Sequence, residues 1–397
     1  MVSVKSLYIH IPFCISKCAY CDFFSVTGFS KEGMDLYAKA LSREIDFYLK
    51  YYNPGILESV YIGGGTPSLL SLSALKTIFK AFSKNIDENT EITMEMNASD
   101  VTEESLLNAE NLGVNRLSVG LQAFSDSALK LSNRRGDRED NLRALSALKS
   151  VWKKNLSCDL IAALPMQSKD ELFEGISLLT ENNISHISLY SLTIEEGTPL
   201  YRMLEDGKIK YNFEKADKMW IQARDFLLEK GYDQYEVSNF CKNDSFMCRH
   251  NLAYWNQKSY LGAGSGASGS IYDFEKQRLS FRYTNTKKIS DYVNFWLSFD
   301  GEITEKSLYI PLWQKEELSK ETLIFEFFMM GLRKSRGVNL SDFEKRFSIS
   351  ISEKIKKVMD FWVSQKKAIF YQENGTAHFS MTKEGLLFLN QFLEEII

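Results

Sequence analysis

Three of the chain's six cysteines, Cys14, Cys18 and Cys21, fall within eight residues in the spacing C-x3-C-x2-C, while Cys158, Cys241 and Cys248 are scattered. Six cysteines in 397 residues are too few to staple a fold, so the cluster reads as a metal site. Three thiolates do not complete a tetrahedral zinc site, and no histidine follows at finger spacing. A four-iron, four-sulfur ([4Fe-4S]) cube normally takes four cysteines. Three on one short loop can hold three irons and leave the fourth open to a small molecule that chelates through an amine and a carboxylate. Phe13 and Tyr20 give the loop an aromatic flank.

Two further stretches carry chemistry-bearing residues. Gly63-Gly64-Gly65-Thr66-Pro67 is a turn in which glycines allow positive φ and let the backbone approach a ligand. His250-Asn251-Leu252-Ala253-Tyr254-Trp255 sets a histidine beside amphipathic aromatics, a pattern that can offer an imidazole and a flat surface to haem. The same pattern also describes a hydrogen-bonded packing histidine. Gly264-Ser265-Gly266-Ala267-Ser268-Gly269 satisfies G-x-G-x-x-G, but the residues that follow look extended rather than helical, so a dinucleotide fingerprint is discarded.

The elements that must position these residues are legible as alternation. Short apolar runs over 7–11, 59–62, 91–96, 116–120, 158–162 and 186–192 read as six strands, each apolar enough to be covered on both faces. Helical periodicity fills 36–49, 73–82, 103–111, 141–152 and 169–181 between them, the last opened by a capping box of Ser168 and Glu171. Right-handed βα units follow. A closed eight-unit barrel needs about 250 residues, and the series stops near residue 235, so the expectation is an α/β fold built on an open six-unit partial barrel. Its chemistry belongs beyond the carboxyl ends of the strands. Residues 1–235 then form the barrel, 236–310 a small mixed connecting region, and 311–397 a C-terminal domain whose three helices and terminal hairpin suggest a winged-helix-like shape.

Composition removes several classes of function. With 48 Lys+Arg against 52 Asp+Glu there is no basic excess to meet a phosphate backbone. The winged-helix-like region from Lys315 onward holds 13 basic and 12 acidic residues, so it reads as a packing domain with no nucleic-acid partner. The N-terminus lacks the pattern of a secretory signal, and the most apolar window, 323–332, is interrupted by Glu326 and falls well short of a span of about 20 residues. A cytoplasmic protein with at most peripheral membrane contact is expected.

The spacing Cys14-x3-Cys18-x2-Cys21 resembles the signature of radical S-adenosylmethionine (SAM) proteins, whose barrel is a partial (βα)6. Its context Tyr8-Ile9-His10-Ile11-Pro12-Phe13 is similar to the branch that holds anaerobic coproporphyrinogen III oxidases and HemW-type haem chaperones. The likeness runs over essentially the whole chain. It implies that Cys14, Cys18 and Cys21 bind the [4Fe-4S] cluster and that SAM chelates the open iron, where an electron from the cluster would cleave it to a 5′-deoxyadenosyl radical. Gly64, Gly65 and Thr66 would meet the SAM ammonium through peptide groups, and Glu95 the ribose diol. Gln122, Arg134 and Asp159, with Tyr8 and Tyr20, match further positions that line SAM in this branch. His250, Asn251, Tyr254 and Trp255 match the HNxxYW motif of the chaperones and so become candidate haem-binding residues. The family's Gly-rich segment commonly ends Gly-Ala-His, whereas this chain has Ser268 at that place.

Two functions from different classes remain. One is a haem chaperone that binds haem and delivers it to acceptor proteins of the respiratory chain, with an electron donor serving the cluster. The alternative is an enzyme, the oxygen-independent coproporphyrinogen III oxidase, which decarboxylates two propionates. The oxidase motif continues as Cys-x-Cys, but here Cys21-Asp22-Phe23 puts Phe23 in the fourth position. The oxidase also usually carries an N-terminal extension before its first strand, for which this sequence leaves no room ahead of Leu7. These differences and HNxxYW favour the chaperone.

Overall fold

β-branched runs and capped amphipathic stretches alternate through the first half of the chain, and the backbone follows them. The computed structural model describes residues 3–275, 280–299 and 310–396. β1 (Ser6–Ile11), α1 (Lys31–Tyr52), β2 (Ser59–Gly64), α2 (Leu72–Phe82), β3 (Glu91–Asn97) and α3 (Glu103–Asn111) open the series. β4 (Arg116–Gln122), α4 (Asp126–Leu131), α5 (Arg138–Val151), β5 (Asn155–Ala162), α6 (Lys169–Glu181) and β6 (His186–Ser191) continue it, before α7 (Pro199–Glu205) and α8 (Phe213–Glu229). The six strands pair in parallel in chain order, the expected six βα units. Ser168 and Glu171 form the predicted capping box on α6.

Beyond residue 230 the sheet keeps growing at both edges. β7 (Asp233–Glu236) and β8 (Asn239–Cys241) add antiparallel strands beside β6. After α9 (Arg249–Trp255), β9 (Tyr260–Ala263) returns to the opposite edge and pairs in parallel with β1. β10 (Ser268–Ile271), β11 (Phe281–Asn285) and, after α10 (Ile289–Ser298), β12 (Trp313–Glu317) complete a sheet of order β12-β11-β10-β9-β1-β2-β3-β4-β5-β6-β8-β7. The stretch 236–310, expected as a connecting region, therefore supplies strands to the barrel sheet; its residues 276–279 and 300–309 lie outside the described residues. The G-x-G-x-x-G stretch runs between β9 and β10, two strands of one antiparallel pair, which removes the helix a dinucleotide site needs.

The C-terminal domain has its own core, in which Phe328, Phe343, Phe347, Trp362, Phe379 and Phe392 pack together. It comprises α11 (Lys320–Gly331), β13 (Val338–Asn339), α12 (Leu340–Phe347), α13 (Glu353–Ser364), β14 (Ala368–Glu373) and β15 (Thr376–Met381), then α14 (Lys383–Leu386) and α15 (Leu389–Ile396). Asn374 and Gly375, both at positive φ, make the tight turn of the β14–β15 hairpin. The helices α11 to α13 and the three-stranded sheet give the winged-helix-like shape, and α14 and α15 follow the hairpin, which is therefore not terminal. Among the described residues no helix is long and apolar enough to cross a membrane.

The strands differ from expectation in one respect that matters for function. Both faces are covered, but only the outer one is apolar. Leu7, Ile9, Val60, Ile62, Leu117 and Val119 are buried in the main core on the helix side. The alternate positions, Ser6, Ser59, Glu91, Thr93, Arg116, Ser157, His186 and Ser188, are buried too, and they turn a polar face to the lumen. The sheet curls enough for residues of β2 to β6 to line one cavity.

A buried carboxylate ties α1 to the strands added beside β1. Glu44 is fully buried and accepts hydrogen bonds from Tyr48 Oη (2.6 Å), Asn285 Nδ2 (2.7 Å), Gly264 N (2.7 Å) and the Tyr292 hydroxyl. Replacing it with alanine strands several buried donors, each costing about 1–3 kcal/mol. Glu44→Ala is therefore expected to lower the unfolding free energy by about 3 kcal/mol or more, read from denaturant midpoints. A midpoint within error of the parent would show that this network does not hold the sheet extension to the barrel.

Candidate cofactor site

The loop that follows β1 is pinned at both ends. Cys14 N donates to Val26 O (2.9 Å) and Val26 N to Pro12 O (2.7 Å), closing the base. On the far side Ala19 N donates to Ser132 O (2.8 Å) and Asn133 Nδ2 to Lys17 O (2.9 Å), at the end of α4. Cys14, Cys18 and Cys21 are half-buried on this loop, whereas Cys158, Cys241 and Cys248 are buried. The three loop thiols border one cavity of about 510 Å³ at the carboxyl ends of the strands.

The other walls of that cavity come from successive strand ends. Tyr20 belongs to the loop; Gly64, Gly65 and Thr66 lie at and beyond the end of β2; Glu95 is on β3 and Gln122 ends β4. Arg134 follows α4, and Asp159 is on β5. Tyr8 alone among the residues expected here does not line the cavity. It sits one layer deeper, where its hydroxyl is 2.9 Å from His10 Nδ1, while His10 Nε2 is 2.9 Å from Phe24 O. Its position on the inner face of β1 makes it a support beneath the site. Ser118 and Tyr190, inner-face positions that motif reading passed over, also border the cavity; they pair across the sheet with Ser157 and Ile161, which share the alternation of Asp159.

Backbone geometry explains the glycines. Gly64 has φ of 111°, and a Cβ there would meet the His10 ring at 2.4 Å. A Cβ on Gly65 would come within 2.6 Å of Phe13 O. Gly64 N donates to Glu95 Oε2 (3.0 Å) and Gly65 N to Ile11 O (2.7 Å), so what the turn can offer an ammonium group is its carbonyls. Gln122 is held at φ of 67°, at the shift in register between β4 and β5, which aims its side chain at the cavity.

The electrostatics suit a charged ligand shielded from water. Glu95 accepts from the Tyr61 hydroxyl (2.8 Å) as well as Gly64 N, and burial pushes its pKa up to about 7. Two protein donors leave lone pairs on the carboxylate for a further diol. Asp159 accepts from Ser118 Oγ at 3.2 and 3.0 Å and from Ser157 Oγ at 3.3 Å, and burial raises its pKa as well. Thr66 Oγ1 donates to Cys14 Sγ, and Arg134 Nη1 to Cys18 Sγ, each at 3.7 Å. Donors aimed at sulfur stabilise thiolates and tune a cluster bound to them. Among the described residues no three His, Cys, Asp or Glu side chains close on a single ion. Thiols spread along one cavity wall suit a cube, where each takes its own iron, better than a mononuclear site. The donor set fits the group.

The HNxxYW residues lie at the opposite end of the lumen. α9 plugs the amino ends of the strands: Glu91 Oε1 accepts from His250 N (3.0 Å) and Glu91 Oε2 from Arg249 N (3.2 Å), while Arg116 Nη1 donates to Phe246 O (3.0 Å). His250 is 1% exposed, with Nδ1 2.9 Å from Ser59 Oγ and Nε2 2.8 Å from the Tyr254 hydroxyl. Burial lowers its pKa to about 3, so the ring is neutral. Both ring nitrogens are engaged by hydroxyls, and the imidazole lies in the floor of the barrel. Asn251 and Trp255 both donate to buried Glu236, as Asn239 does, so Asn251, Tyr254 and Trp255 are also bound inward through their polar atoms.

Residues 8–179 match the model of the Radical SAM superfamily, and residues 318–388 that of the HemN C-terminal domain. Over 98% of its length the chain is 33% identical to heme chaperone HemW of Buchnera aphidicola subsp. Schizaphis graminum, spanning 97% of that protein. It is 31% identical to heme chaperone HemW of Escherichia coli with the same coverage of both chains. The chain belongs to the HemW family. The structure of coproporphyrinogen III oxidase (HemN) from Escherichia coli superposes on 100% of this chain and 90% of its own with a TM-score of 0.80, at 20% identity, which is a likeness of fold.

In this chain the two ends of the barrel differ: three thiols border a cavity above, and the HNxxYW plug lies below. Ser268 bonds Thr284 Oγ1 across β10 and β11 at 2.8 Å, so the serine at this place is satisfied inside the sheet. Glu236 gives the plug a measurable signature. Burial raises its pKa to about 7, above an ordinary value of 4.5, so its contribution to stability is full below pH 4.5 and is lost as pH rises through 7. Across that window the loss is about 3 kcal/mol. Glu236→Gln is expected to flatten the dependence of unfolding free energy on pH between 4.5 and 7. An unchanged slope would remove Glu236 as its source.

Proposed function

We propose that Cys14, Cys18 and Cys21 hold a [4Fe-4S] cluster and that the cavity beside them binds SAM, in a haem chaperone that takes up haem and passes it to acceptor proteins of the respiratory chain. The observation that carries this reading is the shared cavity: three half-buried thiols, a glycine turn, Glu95, Gln122, Arg134 and Asp159 meet at one end of a sheet in a chain with HemW relatives along its whole length. When bound, the cluster supplies a single electron to the sulfonium. The protein's own residues do the rest. Thr66 and Arg134 donate hydrogen bonds to two of the thiols, Glu95 would offer free lone pairs to a ribose diol, and the carbonyls of the glycine turn would be the acceptors for the ammonium. Asp159, tied to Ser118 and Ser157, fixes the inner wall.

Phe23 favours the chaperone over the decarboxylase. It stands where the oxidase motif has its fourth cysteine, and it is 72% exposed at the rim of the cavity, an apolar group open to solvent or a flat ligand. Six unpaired cysteines suit the reducing cytoplasm, where an electron donor for the cluster is at hand. The test uses full-length protein reconstituted anaerobically with iron and sulfide. Incubated with ferric haem and then with a haem-free respiratory oxidase, it is expected to load the acceptor, and to leave coproporphyrinogen III unchanged when SAM and a reductant are supplied. Turnover of coproporphyrinogen with no transfer of haem would reverse the assignment.

A further inference from the structure

A second cavity, of about 270 Å³, lies between α9 and the C-terminal domain, at the end of the barrel away from the thiols. Leu252 and Trp255 of α9 and Phe327 of α11 give it an apolar wall. The lining also carries the cations Lys334, Arg336 and Arg346, with Asp342 and Glu373 as its acids. Two of these cations are already matched: Arg346 pairs with Asp342 (2.7 Å) and Arg336 with Asp244.

Lys334 has no carboxylate partner among the described residues. Its ammonium donates to the Asn256 side-chain oxygen and has further N–H groups to give. It is largely desolvated and has Arg346 and Arg336 for neighbours; together these outweigh Asp342 and lower its pKa to about 8. A buried cation beside other cations is unfavourable until an anion joins it. Arg333 adds charge nearby, stacked over the Trp255 ring at 5.5 Å.

An independent observation also points to a ligand. Gln257 lines the same cavity, is 2% exposed and is held at φ of 51°. One end of its amide is bonded, Nε2 to Leu323 O at 3.0 Å, but Oε1 is buried without a partner. Such an orphan acceptor asks for a donor, which a water bridging it to a bound carboxylate supplies. The cavity lies below the usual range of about 300–1,000 Å³ for a whole small-molecule site, so it suits one arm of a larger molecule.

We propose that this cavity is a carboxylate site in which Lys334 receives a propionate arm of a porphyrin whose ring edge rests against Trp255. The inference rests on the haem reading above and deepens it by placing a contact for the cargo. A small free dicarboxylate has the same chemistry, and the test separates the two sources.

Ferric protoporphyrin IX and its dimethyl ester are titrated into the full-length protein and into Lys334→Met. The parent is expected to prefer the free acid by about tenfold, the worth of one charge-assisted hydrogen bond, and Lys334→Met to bind acid and ester alike. Equal binding of both by the parent, or a preference that survives in the variant, overturns the carboxylate site and leaves the haem reading standing. Should the parent bind neither porphyrin, the haem reading fails, and the cavity is judged by glutarate. Protection of Lys334 from acetic anhydride by glutarate supports a site for a free dicarboxylate; no protection overturns the site as well.

Discussion

A polar surface can be enclosed inside a sheet only if each group on it finds a partner, because an unpaired buried polar group costs about 1–3 kcal/mol and an unpaired charge more. That constraint organises the charged and imidazole groups of this lumen, while the Thr93 hydroxyl is buried on it without a partner. The inner face of the six parallel strands carries Glu91, Arg116, Asp159 and His186, and the hydrogen bonds that satisfy them run the length of the lumen. Cys248 N donates to the Tyr235 hydroxyl (3.2 Å), which lies 2.8 Å from His186 Nε2; His186 Nδ1 is 2.8 Å from Ser157 Oγ, which reaches Asp159 at 3.3 Å. Burial lowers the pKa of His186 well below its ordinary value, so the ring is neutral and can accept at one nitrogen while donating at the other. The chain ends at a carboxylate on the wall of the thiol cavity. Its floor is α9, whose first peptide groups meet Glu91.

With the floor closed, the lumen opens toward the carboxyl ends of the strands, and the loop bearing the three thiols lies across that opening. Its anchors at Val26 and Ser132 fix the thiols against the glycine turn and Arg134. The plug and the cofactor site thus solve one problem from two ends. The HNxxYW residues hold the barrel shut below, and the ligand cavity uses the polar inner face above. Trp255 touches both regimes, since its indole N–H is given to Glu236 while its ring borders the second cavity.

Much of this was legible in the residues. The strands, most helices, the capping box at Ser168 and the winged-helix-like order follow from period and caps, because those signals are local. The polar lumen was legible too, in the alternation of Ser6, Tyr8 and His10 or of Glu91, Thr93 and Glu95, although runs rich in Ile, Leu and Val invite an apolar reading. The strands β7 to β12 were hidden for a different reason. They are three to five residues long, and β9 pairs with β1 across more than two hundred residues of chain. His250 shows the limit most clearly. A histidine among aromatics has the same local pattern whether it binds iron or packs, and the groups that settle its geometry, Ser59 and Glu91, lie far away in sequence.

The account stands on the loop thiols holding a cube with one open iron. Its most direct test is a Mössbauer spectrum of the oxygen-protected, 57Fe-reconstituted protein with and without SAM. One four-iron cluster per chain is predicted, with a single iron whose signal moves away from the other three when SAM is added. A spectrum that SAM leaves unchanged, or iron that remains after Cys14, Cys18 and Cys21 are all replaced by alanine, would contradict it.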